Sequence, residues 1–347
     1  MYSFGSMASA TIAMFGLLTT TGAVGFGNSQ LNTLRTISAF GERPAFAPDA
    51  QRVAFISNSF GQAFEIDLRT EELTLLTHYP NTGYLRVQYL PNGDLFLIGA
   101  RTFEGEAKTR DDLQEMWILP YGGTAAIPLN HSIWEGVAIS LQTNKIAWAN
   151  NAGQYPDQIP ENVSIIYTGD IVYNNGAPSL QNKKEVLRAM LPDCAIEPQD
   201  FRKNDTELIY SCYRTNATSR VSLVKGVNLE TGEITTYRGL MDEYNEVEGI
   251  YPGGEYTLVE SCHDCPVRDG TNGIDIYRMR LVANSSDFVR LTYFNRNPPN
   301  KAGNPVISPD GSLMAVQASR AGDQHSPGIG YGILLLNLNT PDPKTEL

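Results

Sequence analysis

Four glutamates recur at one position relative to a repeated turn in this 347-residue chain. Aligned on the turns, six segments place Glu42, Leu85, Glu135, Glu197, Glu246 and Gly303 at one site and Arg43, Arg86, Gly136, Pro198, Val247 and Asn304 at the next. A ring of carboxylates can hold a cation, move a proton or orient a polar ligand. The two arginines add fixed positive charge suited to a carbonyl or an anion. Taken singly, each Glu also has a simpler reading, as an ion pair or a solvated carboxylate. Glu135 stands apart because Trp134 beside it can exclude water and raise its pKa. The expected catalytic groups are Glu135, Arg86 and Tyr244. Trp134, Tyr84, Arg43, Glu197, Glu246, Asn304 and His325 are expected to line a substrate pocket, where aromatic rings supply apolar surface and single donors. For the lone histidines, loop filling is the simpler reading.

Other chemistries lack their motifs. The chain has no Gly-x-Ser-x-Gly elbow, no phosphate-cradling glycine loop, no His-Glu-x-x-His and no EF-hand loop. Its four histidines are scattered. No metal ligand set and no cofactor are expected.

The elements that must carry these residues are short strands. Arg43-Pro44-Ala45-Phe46-Ala47-Pro48-Asp49-Ala50 precedes Arg52-Val53-Ala54-Phe55, and Asn304-Pro305-Val306-Ile307-Ser308-Pro309-Asp310-Gly311 precedes Leu313-Met314-Ala315-Val316. Each reads as strand, tight turn, strand, with Pro fixing φ and Asp or Gly closing the turn. Looser copies turn near Asn92, Asn144, Asp205 and Gly253, and third- and fourth-strand candidates follow each. The irregular spacing suits four-stranded blades with variable loops. The sixth unit lacks a fourth strand, and Leu31 to Ser38 is a spare strand that can complete it. The predicted fold is all-β: a single six-bladed β-propeller of four-stranded antiparallel blades, closed by an N-terminal strand. Propeller geometry puts the tight first turns on one rim and the long loops (Arg101 to Glu115, Asn150 to Glu161, His263 to Asn272, Ser319 to Tyr331) on the other. The long-loop rim is where a pocket is expected.

The Pro-x-Phe/Ile-x-Pro-Asp phrase resembles the repeat of TolB-like, or WD40-like, propellers over about residues 40 to 338. The resemblance implies the fold strongly and function weakly. In overall plan the chain also resembles the secreted hetero-Diels–Alderases of fungal tropolone–sesquiterpenoid pathways. No catalytic motif matches residue by residue, so no roles carry over.

The hairpin at Asp205 tests the strand register. Pairing Phe201 with Thr206 sets Cys194 nearly opposite Cys212, which predicts a disulfide between them. Cys262-His263-Asp264-Cys265 is read as a structural loop disulfide, with a redox pair or half a zinc site as alternatives.

Residues 1–25 read as a secretory signal peptide, leaving 26–347 for the propeller. Sequons at Asn130, Asn162, Asn204, Asn216 and Asn284 and the even cysteine count agree with a secreted or secretory-lumen protein. The net charge of −12, without a Lys/Arg cluster, argues against nucleic acid and anionic membranes as partners. The expected partners are largely apolar small molecules, and the expected state is a monomer or weak oligomer. Three functions remain open: a cofactor-independent cyclase performing a hetero-Diels–Alder coupling, a non-catalytic glycan- or protein-binding module, and a metal-dependent lactonase or esterase. A deep apolar pocket favours the first, and an open polar face the second.

Overall fold

A computed structural model describes residues 34–78, 83–215, 220–265, 271–322 and 330–339. The expected signal peptide, the sequon at Asn216 and His325 lie outside these residues, as do 31–33 of the expected closing strand.

The chain forms six four-stranded antiparallel sheets. β1 (Leu34–Ser38) comes first. Blade one is β2 (Glu42–Phe46), β3 (Arg52–Ile56), β4 (Ala63–Asp67) and β5 (Leu73–Leu75). Blade two is β6 (Tyr84–Tyr89), β7 (Leu95–Ala100), β8 (Gln114–Leu119) and β9 (Ile127–Ser132), with the short helix α1 (Glu106–Asp111) between β7 and β8. Blade three is β10 (Trp134–Ile139), β11 (Lys145–Asn151), β12 (Val163–Asn174) and β13 (Ala177–Met190). Blade four is β14 (Ala195–Arg202), β15 (Glu207–Thr215), β16 (Arg220–Asn228) and β17 (Ile234–Arg238). Blade five is β18 (Asn245–Ile250), β19 (Tyr256–Ser261), β20 (Asp275–Arg280) and β21 (Phe288–Arg290). Blade six is β22 (Asn300–Ile307), β23 (Leu313–Arg320) and β24 (Ile333–Asn337), completed by β1 on the outer edge of β24. The closing register runs Leu34↔Leu336 to Ser38↔Ile333. Closure pairs the β24 edge that would otherwise be open to another chain.

The cores lie between adjacent blades. Ala138, Ala147 and Ile166 of blade three pack with Ile196, Leu208 and Tyr210 of blade four. Trp148 is fully buried between blades two and three, and its Nε1 donates to Asn150 Oδ1 at 3.0 Å. Burying one such Val, Leu, Ile or Phe side chain contributes roughly 1.5–3 kcal/mol, so the flat faces of the sheets bind the blades into one ring.

Every innermost strand carries a break in register. It falls between Glu42 and Ala45, Tyr84 and Arg86, Trp134 and Val137, Pro198 and Asp200, Val247 and Gly249, and Gly303 and Val306. In three blades the extra residues include a non-glycine with positive φ: Arg43 at 53°, Glu135 at 56° and Asn304 at 48°. Bulges of this kind re-aim side chains, here at the strands that ring the axis.

The expected register changes. The Cys194–Cys212 disulfide is present, but Phe201 pairs with Leu208 rather than Thr206. The turn is wider than assumed, with Lys203, Asn204 and Asp205 all at positive φ, so Cys212 lies opposite Ile196 and Cys194 reaches it from just before β14. The outer hairpin of blade three is also long, its strands β12 and β13 running to 12 and 14 residues. Its turn is Asn175-Gly176, both at positive φ, a hairpin signal legible in the sequence. Cys262 and Cys265 are bonded to each other, as expected. Asn130, Asn162, Asn204 and Asn284 are exposed, as glycosylation would require. No helix among the described residues is long and apolar enough to cross a membrane.

Candidate functional site

The bulged strands deliver a dense set of buried charges to the channel. Glu135 meets Arg110, carried in by α1, in a two-pronged ion pair with Nη2 to Oε2 at 2.9 Å. Arg86 faces Glu248 at 3.8 Å. Arg43 is buried, has no carboxylate within ion-pair distance among the described residues, and donates Nη1 to the Leu85 carbonyl at 3.1 Å. Its own N–H donates to Gln317 Oε1 at 2.8 Å. Burial, then the charges of Arg86 and Arg110, lower Arg43 to about 10. Ser59 donates to Glu42, whose carboxyl is raised by burial.

The acids are divided by their neighbours. Burial alone would raise Glu135, but Arg110, with Arg43 and Arg86, outweighs it and holds the carboxyl well below the ordinary range. This reverses the expectation that Trp134 raises it. Trp134 is half-buried against the core of blades three and four. Glu197, Glu248 and Glu260 are raised, each chiefly by burial with like charges adding to it. Glu246 is the direct cross-strand partner of Glu260 and adds to the rise of the Glu260 carboxyl.

A proton count locates one of these protons. The Tyr213 hydroxyl contacts Glu197 Oε2 at 2.7 Å and also Glu246 Oε1, while the Tyr244 hydroxyl donates to Glu246 Oε2. One hydroxyl proton cannot serve two carboxylates. Both contacts are hydrogen bonds only when one of the two acids carries a proton. Burial and the neighbouring acids raise Glu197, which assigns the proton there and leaves Tyr213 to donate to Glu246. Gly136 makes room for this group, since a Cβ there would collide with Glu197 Oε1. Tyr213 and Tyr244 in turn pack on the Cys262–Cys265 disulfide.

Of the expected site residues, the structure brings Glu135, Arg86, Arg43, Glu197, Glu246, Tyr244 and Asn304 into this connected region. Tyr84 is elsewhere: only 2% exposed, it belongs to the core between blades one and two and donates its N–H to Gly61. His263 pairs with Glu243 rather than facing the channel acids. Sequence alignment missed Glu248, Glu260, Arg110, Tyr213, Asp200, Gln88 and Gln199. The cavity at the axis also departs from expectation. It has a volume of about 140 Å³, takes residues from all six blades, and lies toward the tight-turn rim, with Phe46, Ile139, Leu141, Pro252 and Pro309 around it. Arg43, Arg86, Glu248 and Asn304 are its polar inner layer. Asp200 lines it too, raised by burial to about 7. No cluster of three or more metal-ligating acids, histidines or cysteines occurs among the described residues.

Solved structures share this architecture. A TolB protein from Agrobacterium tumefaciens superposes with TM-score 0.51 at 13% identity, covering 79% of this chain and 97% of that one. The fold is that of the TolB-type propellers. The hydrazine synthase of Kuenenia stuttgartiensis matches this propeller with TM-score 0.52 at 10% identity, over 87% of this chain and 84% of that one. A gluconolactonase from Xanthomonas campestris matches with TM-score 0.52 at 12% identity, over 88% and 89%. These likenesses establish the fold alone, and their functions differ. No protein-family model matches the propeller, and no curated protein sequence matches it.

Proposed function

We propose that this propeller is a cofactor-independent cyclase of secondary metabolism, coupling a tropolone-type quinone methide to a terpene alkene by a hetero-Diels–Alder reaction. The observation that carries this reading is the Tyr213 hydroxyl bridging Glu197 and Glu246, in the same buried region as the Arg43 guanidinium.

The chemistry balances with these groups. Glu197 gives its proton to the hydroxyl of a hydroxymethyl substituent, the C–O bond breaks, and water leaves. The neighbouring ring hydroxyl loses its proton to Glu246, and Tyr213 then gives its proton to Glu197 while taking one from Glu246, which restores all three groups. The net change is loss of one water. The resulting four-atom oxadiene then adds to the alkene, forming one C–C and one C–O bond with no proton or electron exchanged. Arg43 polarises the ring carbonyl, and alignment of the two reactants lowers the barrier by roughly 7–11 kcal/mol. The disulfides and the exposed sequons support a place in the secretory pathway.

Purified protein mixed with a hydroxymethyl tropolone and a sesquiterpene alkene tests the reading. One stereoisomer of the adduct should form, and form in the presence of a chelator. A mixture identical to the uncatalysed one overturns it. Turnover that needs a divalent ion instead supports the lactonase-like alternative, and glycan binding without turnover supports the binding module.

A further inference from the structure

The tight-turn end of the channel holds polar groups that the acid–tyrosine cluster does not use. Five buried side-chain atoms of residues lining this cavity have no hydrogen-bond partner within the protein: Arg86 Nε, Gln88 Oε1, Gln199 Nε2, Asp200 Oδ2 and Asn304 Oδ1. Gln199 and Arg86 are only 7% and 9% exposed. Burying a polar group without a partner is unfavourable, so five around one cavity mark a place built for a polar guest. Their blades are not adjacent by accident of one loop: they stand on the innermost strands of blades two, four and six, at or next to the bulges.

Charge decides the class of guest. A cation would sit against the guanidiniums of Arg43 and Arg86, and an anion would have to compete with Glu248 for Arg86. An apolar guest would leave all five polar atoms unsatisfied. Hydroxyl groups both donate and accept, and the amides of Gln88, Gln199 and Asn304 can present either end to them. One water needs roughly 10–15 Å³ of such space, so the cavity of about 140 Å³ accepts a molecule of roughly ten heavy atoms. Ile139, Leu141, Ile250 and Ile307 supply apolar surface for the carbon faces of a ring.

We propose that this end of the channel is a second binding site, for a small neutral polyhydroxylated molecule such as a monosaccharide or cyclitol. It does not use the acid–tyrosine cluster and needs no proton transfer, so its test stands apart from that of the cyclase reading although Arg43 borders both regions.

Isothermal titration calorimetry of the full chain with glucose and myo-inositol, and with calcium chloride and sodium acetate as charged probes, tests the site. At least one neutral probe should bind saturably. Gln199→Ala should weaken it by roughly tenfold or more. Leu141 is 64% exposed at the rim, so Leu141→Arg should obstruct entry and abolish binding while leaving the melting temperature unchanged. The proposal is overturned if neither polyol binds at about 50 mM, if both variants bind as the wild type does, or if only calcium or acetate binds. A crystal soaked in the polyol that shows water alone in the cavity overturns it equally.

Discussion

The Tyr213 hydroxyl lies 2.7 Å from Glu197 Oε2. Because the same hydroxyl also reaches Glu246, the bridge needs a proton on one of the two acids, and the upward shift of Glu197 by burial assigns it there. This makes a precise chemical distinction between two substitutions. Glu197→Gln keeps a donor to the Tyr213 oxygen and keeps the group neutral, so the fold should survive. It removes the transferable proton, so turnover of the hydroxymethyl precursor should fall by roughly 10²–10⁴-fold. A preformed quinone methide should still cyclise in this variant, which separates dehydration from coupling. Equal loss on both substrates would contradict the assigned role.

Stability should depend on pH in a direction set by the buried acids. Glu197, Glu248 and Glu260 are raised above the ordinary 4.5, and Asp200 is raised to about 7. Between the unfolded and folded pKa values the native state holds more protons than the unfolded chain, so stability falls as pH rises. The loss is absent below the unfolded values and grows from about pH 5 upward, at up to about 1.4 kcal/mol per pH unit for each extra proton held. Glu135 has the opposite sign, and its contribution is lost as pH falls below 4.5. The melting temperature should therefore peak in mildly acidic buffer, and Glu248→Gln should flatten the decline above the peak. A melting temperature that rises from pH 5 to pH 8 would contradict these assignments.

Arg110→Met tests the charge brought in by α1. The substitution leaves Glu135 buried without its partner. Fully buried pairs broken in this way cost about 3–5 kcal/mol, but Arg110 and Glu135 side chains are 30% and 15% exposed. Solvent reduces the expected loss to about 1–3 kcal/mol, read as a lower urea midpoint. Adding Glu135→Gln should recover part of it, because the stranded charge is gone. No recovery in the double variant would mean that Arg110 acts through packing instead.

The sequence carried the scaffold because tight turns have strict chemistry. Pro48-Asp49 and Pro309-Asp310 announce their hairpins, and Leu34–Ser38 has no partner until the ring is closed. The site was less legible. Counting back from each turn assumes one residue per rung, and the bulges break that count differently in each blade, which hid Glu248 and Gln199. Arg110 arrives from a loop helix, and without it the sign of the Glu135 shift was misjudged. Glu260 was accessible to reasoning, since the turn at Gly253 sets it across from Glu246. Tyr84 was misplaced because aromatic type alone does not tell a core residue from a pocket residue.

The closing strand makes the last prediction. β1 joins the first residues of the ring to β24, near its end, so blade six is held together by a non-local pairing. Deleting residues up to Ser38 removes the β24 partner and bares a row of backbone donors and acceptors at its edge. The shortened chain should lose cooperative unfolding in its sixth blade and self-associate through the open edge. Substituting Thr36 by Pro, which takes away one backbone N–H and disfavours the strand, should give a milder form of the same defect. Size-exclusion chromatography with light scattering reads the association, and urea unfolding reads the cooperativity. A monomeric deletion variant with an unchanged urea midpoint would show that blade six is stable on three strands and that β1 is not what closes the ring energetically.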